Sequence, residues 1–182
     1  MEETLNERFG AADGGPIDCH GQTVHSALEL PLAEPLNLWL RFLSSDPRAG
    51  AQSIAISLRR KGRKRLGIVY EGVAGRKWRF WTDSEHQHPG PIICMPPSGG
   101  TELLVFNGWL GEDGEPEEWL SNHGIVVEQQ DERRWLLHCS RGGRADRPPS
   151  FEDLLAEVRI EPVDPDTARE ALRAAQRVPG LP

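Results

Sequence analysis

The chain has 182 residues, a formal net charge of −7 and a pI near 5.4, with 27% of its residues charged. That length suits one domain with irregular ends rather than two, and the acidic balance argues against a protein that coats nucleic acid through its overall field, though a local basic patch stays open. No apolar run nears the roughly 20 residues of a membrane span, and Met1-Glu2-Glu3-Thr4 lacks the regions of a signal peptide, so the cytoplasm and no membrane partner are expected.

Residues 1–34 mix acids, glycines and single apolar residues without a sustained period, and are read as an irregular arm. Leu28 and Leu30 are a short exception, an edge strand that Pro31 or Pro35 ends, because proline cannot donate to a ladder. From Leu36 the pattern sharpens. Leu36, Leu38, Leu40 and Phe42 fall at every second position, the period of a strand with one buried face, and Ile54, Ile56 and Leu58 repeat it. Residues 44–50 supply turn residues between these two strands. Further strands are expected at 65–70 and 77–81, separated by Lys61-Gly62 and by the turn Gly72-Val73-Ala74-Gly75, and these short connections argue for an antiparallel meander.

The polar stretch 84–90 reads as a surface loop, and two more strands follow at 92–95 and 102–109 around the turn Pro96-Pro97-Ser98-Gly99-Gly100. Pro116 with Glu115, Glu117 and Glu118 predicts a short helix over 116–123, stopped by Gly124. A hairpin is expected from 125–128 and 134–139. Ser150-Phe151-Glu152-Asp153 resembles a capping box opening a turn or two of helix. The last helix is expected after Asp164, with Ala168, Ala171, Leu172, Ala175 and Val178 on one face. The fold class is therefore mainly β: an antiparallel β-sandwich or partly open barrel of about eight strands over 35–161, with a short internal helix and a C-terminal helix and tail over 162–182.

Cys19, Cys94 and Cys139 are odd in number and widely spaced, so free thiols are expected rather than a disulfide framework. Cys19, His20, His25, His86, His88 and Cys94 match no compact zinc spacing, and no metal or other cofactor is expected. The string Cys139-Ser140-Arg141-Gly142-Gly143-Arg144 after an apolar strand is similar to the active-site loop of rhodanese-like sulfurtransferases. That resemblance implies Cys139 as a sulfur-carrying nucleophile in a cradle of backbone amides, with an arginine adding positive charge. Pro148-Pro149 stands where the family's next helix runs, and the upstream strands read as antiparallel.

Arg59, Arg60, Lys61, Arg63, Lys64 and Arg65 place six cations in seven residues. Such a hairpin can meet an acidic protein surface or grip phosphates, with aromatic residues stacking on unpaired bases. If Leu36, Leu38 and Leu40 face inward, Trp39 faces outward; Trp78 and Trp81 have opposite parity, so one of them points out as well. Exposed tryptophans serve as interface anchors and as stacking platforms for sugars. These features predict a non-enzymatic interaction module, a subunit or adaptor that binds an acidic protein partner through the basic hairpin and an outward aromatic face of Trp39, Trp78 or Trp81. A nucleic-acid partner, a thiol enzyme built on Cys139 and a glycan or small-ligand binder are the alternatives.

Overall fold

The computed structural model describes residues 3–59, 67–84, 90–97, 99–142 and 148–177. In chain order these form α1 (Leu5–Ala11), β1 (Ile17–Cys19), β2 (Gln22–His25), β3 (Leu28–Leu32), β4 (Leu36–Ser45), β5 (Gln52–Leu58), β6 (Gly67–Tyr70), β7 (Val73–Gly75), β8 (Lys77–Trp81) and β9 (Ile92–Met95). They continue with β10 (Thr101–Leu110), β11 (Pro116–Glu117), β12 (Gly124–Asp131), β13 (Arg134–Ser140), β14 (Leu154–Pro162) and α2 (Pro165–Gln176).

The strands build two antiparallel sheets. One has nine strands in the order β1-β2-β12-β13-β14-β4-β9-β6-β7; the other runs β11-β10-β5-β8, with β3 on the same edge of β10 as β11. The residues that alternate in sequence are those that meet between the sheets. Leu36, Leu38 and Leu40 of β4, Leu154, Ala156 and Val158 of β14, and Leu137 and Cys139 of β13 face Ile54, Ile56 and Leu58 of β5 and Leu103 and Val105 of β10 in one buried cluster. This is the antiparallel β-sandwich expected from the alternation. The chain crosses between sheets at two abrupt corners, through Ser26-Ala27 from β2 to β3 and through Arg76 from β7 to β8, which gives the sandwich a barrel-like continuity along both sides.

Helices cover both ends of the outer face of the nine-stranded sheet. α1 buries Leu5 and Phe9 against Ile17, Cys19 and Val24 in a small second core, and α2 packs on β6, β7 and β9, where Leu172 lies against the bare backbone of Gly67. Gly67 thus admits the helix where a Cβ would stand 3.1 Å from a Leu172 methyl.

Several expectations are corrected. The 1–34 stretch is not an irregular arm: Thr4 and Glu7 form a capping box that starts α1, and the apolar residues, too sparse to show a period, are buried by α1 and β1–β3. The 72–75 turn tightens to Glu71-Gly72, both in left-handed conformation, so that β7 pairs with β6. Residues 116–123 hold no helix, because β11 pairs with β10 while Trp119 and Ser121 take positive φ values of 56° and 47°, incompatible with helical continuation. Residues 150–153 likewise start no helix, since Asp153 is drawn off to receive the Arg141 amide at 2.7 Å. The strand that follows, β14, lies between β13 and β4 near the middle of the larger sheet.

Candidate interaction face

The outer face of the five-stranded sheet is set by parity. With Ile54, Ile56 and Leu58 facing the other sheet, β5 turns Ser53, Ala55 and Ser57 to the opposite side, where Ser53 and Ala55 are themselves fully covered, and leads into an exposed Arg59. Register then places Trp81, Arg79 and Lys77 of β8 opposite the three β5 residues. β10 adds Leu104 and Phe106 opposite Ser57 and Ala55. Thus Arg59 and Trp81, two of the residues singled out in the sequence, share one face with Lys77 and Arg79.

Each described cation here already has an acidic neighbour. Arg59 pairs with Glu29 of β3 and, at 3.0 Å, with Glu102 of β10. Lys77 Nζ donates to both Glu118 oxygens at 2.6 and 2.9 Å, and Arg79 pairs with Glu118 while donating to Ser53 Oγ at 2.8 Å. Glu118 belongs to an arch, 118–121, that lies over the middle of the face. Its neighbour Trp119 stacks on Phe106 with ring centroids 4.5 Å apart and donates Nε1–H to the Ser26 carbonyl at 3.3 Å. Trp119 and Leu120 remain 40% and 46% exposed, among the largest apolar exposures of the described residues. Beside Trp119 a groove of about 340 Å³ runs past Leu104, Ala27, Glu29 and Arg59. Sequence reading did not select Trp119; the helix expected at 116–123 hid it, and its one signal was an aromatic following four acids in six residues.

The other candidates lie elsewhere. Of the two tryptophans of opposite parity, Trp81 is the outward one; Trp78 points into the sandwich, edge-on to Tyr70 at 5.8 Å and close over Gly75, and so takes no part in an outward face. Trp39 does face outward, but from the nine-stranded sheet, half-buried with its ring on Gly90, its Nε1–H donated to Glu161 at 3.2 Å and the Arg159 guanidinium 5.3 Å from the ring. The three tryptophans therefore do not form a single aromatic face. Arg60, Lys61, Arg63, Lys64 and Arg65 lie outside the described residues, in the connection that carries the chain from β5 in one sheet to β6 in the other.

Cys139 belongs to the sandwich core. Its thiol is fully buried on β13 and donates to the Leu137 carbonyl at 3.7 Å, and burial raises its pKa far above the ordinary thiol value, with the Asp153 charge adding to the effect. Gly142, which in the sulfurtransferase resemblance would belong to an amide cradle, is instead needed for packing. A Cβ there would overlap the Leu120 carbonyl oxygen and stand 2.5 Å from Trp109 Cη2. Nothing in this geometry activates a nucleophile. Cys19 and Cys94 are free and buried as well, and among the described residues no three His, Cys, Asp or Glu side chains converge as metal ligands.

At one end of the sandwich a half-open cleft of about 850 Å³ is lined by Trp109, Arg141 and five carboxylates: Asp46, Glu112, Asp113, Glu117 and Asp153. Asp46 is held below the usual carboxylate range by the Arg48 side chain and amide, whereas burial, reinforced by Asp46, raises Asp153. Trp109 Nε1–H is already given to Glu117 at 2.6 Å.

Fold and surface together define an all-antiparallel β-sandwich with a charged, aromatic outer face. Comparison with protein-family models, with curated proteins and with solved structures finds no match for this chain.

Proposed function

We propose that this protein is a non-enzymatic interaction module that holds an acidic protein partner on the outer face of its five-stranded sheet. The observation that carries the reading is the convergence of Arg59, Lys77, Arg79 and Trp81 with the exposed, backbone-strained Trp119 on one face. The cationic run of the sequence begins at Arg59, which lies on this same face. Large exposed aromatics next to cations suit a protein partner, whose acidic residues would be steered in by the basic run and anchored by the tryptophans. The burial of Cys139 leaves the enzymatic alternative without support.

The test begins by capturing the partner from the native host, identifying it by mass spectrometry and purifying the pair. Replacing Arg60, Lys61 and Arg63 by Glu is expected to slow association by about tenfold or more with little change in melting temperature, and wild-type affinity should fall as salt rises. Arg41→Glu, on the outer face of the other sheet, should leave binding unchanged. Affinity that is flat in salt and indifferent to the triple reversal would overturn the proposal, and a nucleic acid as the sole partner would overturn its protein assignment.

A second reading, a small-ligand binder, is supported by the end cleft. Its excess of carboxylates over arginines suits an amine or guanidinium, and heat released on titration with spermidine, lost in Asp113→Asn, is the expected result.

A further inference from the structure

We propose that Glu118-Trp119 is an internal stand-in for the partner, and that the segment which docks on the five-stranded sheet presents an acidic residue next to an aromatic one. This deepens the interaction-module reading and rests on it. The arch displays the chemistry the face accepts. Glu118 takes both described cations of β8 at once, and Trp119 lays its ring on Phe106, with the Lys77 ammonium 5.3 Å from the same Phe106 ring. Glu118 and Arg79 are mostly shielded, their side chains retaining 19% and 13% exposure, so the ion pair works in a partly desolvated setting.

The arch nevertheless fits the face imperfectly. Trp119 leaves much of its ring in water, and Leu120 packs even less. Trp119 and Ser121 both occupy the left-handed region, which is unfavourable for a side chain with a Cβ and rare for a bulky one. The ends of the arch are fixed, at Glu117 by the β10–β11 register and at Ser121 and Asn122 by the Asn6 amide on the Ser121 carbonyl at 2.9 Å and the Asn122 amide on the Gly142 carbonyl, so only Glu118, Trp119 and Leu120 need lift. A separate chain, not tied at both ends, can bring the same carboxylate and ring to the face through ordinary backbone conformations, without this strain. When Glu118 leaves, Lys77 and Arg79 become available, and the described ion pairs of the face turn from charge-balanced to cationic.

The experiment uses a fluorescein-labelled, end-blocked peptide of residues 116–122 and a control peptide with Gln for both Glu and Ala for Trp. Binding is followed by anisotropy to the full-length wild type and to the double variant Glu118→Gln/Trp119→Gly, whose Gly tolerates the left-handed position. Removing the internal competitor should tighten peptide binding by about tenfold, and Lys77→Glu or raised salt should weaken it. Saturating peptide should also speed amide exchange at 118–121 in the wild type, a readout that decides the matter if the double variant fails to fold. Equal affinities for wild type and variant, equal binding of the control peptide, or unchanged exchange in the arch would overturn the inference. If the captured partner still responds to the basic-run reversal while the peptide fails, only the stand-in is wrong and the interaction face survives.

Discussion

Gly142 and His123 illustrate how single residues are constrained by the crossing of two connections at the cleft end of the sandwich. Gly142 accepts the Asn122 amide through its carbonyl and is approached by the Leu120 carbonyl, Trp109 and His123 from the other side, so no side chain fits. Gly142→Ala is expected to cost about 2–3 kcal/mol, read as a drop in urea midpoint at constant m-value. His123 is fully enclosed, its Nε2 donating to the Asn107 carbonyl at 3.1 Å. Burial lowers its pKa to about 4, against smaller opposing contributions from that hydrogen bond and from Glu118.

The sign of the resulting pH dependence follows from which state takes the proton. Between about pH 6.5 and 4 the unfolded chain protonates this imidazole and the native state does not, so stability is complete above 6.5 and falls as pH drops, by up to about 3 kcal/mol. His123→Gln keeps a donor for Asn107 and should flatten the urea midpoint across this window; an unchanged slope would mean that the imidazole titrates freely in the folded protein. His25, also lowered by burial, adds to the same trend in both proteins.

Among elements, α2 shows how a helix with a thin apolar face is seated. Asp164 caps its start, accepting from the Thr167 amide at 2.9 Å, and Ala168 and Ala175 give a shallow ridge that Leu172 completes over Gly67. Ala168→Glu would bring a carboxylate into that contact at a cost of about 2–4 kcal/mol, and amide exchange should accelerate across 165–176 before the sheets open. The seat lies on β6, β7 and β9, the strands nearest the edge that the corner at Arg76 closes, so the helix shields an edge that would otherwise invite another chain. In β4 the pairing with β14 skips Leu43, leaving it exposed as a bulge that bends the strand beyond Phe42.

At the scale of the molecule, the two sheets share one core to which strands from both contribute, and the chain passes repeatedly between them. Neither sheet can bury its apolar face without the other. Calorimetry is therefore expected to give a single transition with equal calorimetric and van't Hoff enthalpies; two resolved transitions would mean that one sheet is stable by itself.

The strict alternation in β4 and β5, the apolar runs of β9 and β10, and the Asp164-Pro165 start of α2 are local signals, and each becomes the expected element because burial of one face rewards that period directly. β14 carried the same signal in Leu154, Ala156, Val158 and Ile160, masked by a capping-box pattern whose aspartate serves a different amide. The burial of Cys139, by contrast, is decided by the tertiary structure: the sulfurtransferase-like string is local, whereas the strands that flank it in the sheet, β12 and β14, come from separate stretches of chain. The same holds for the interaction face. Parity alone placed Trp39 outward, but which sheet each tryptophan belongs to, and that Arg59, Trp81 and Trp119 share a surface, depends on register between β3, β5, β8 and β10. Alternation is written residue by residue along a strand. Pairing is a choice among distant segments, made only when the whole core closes.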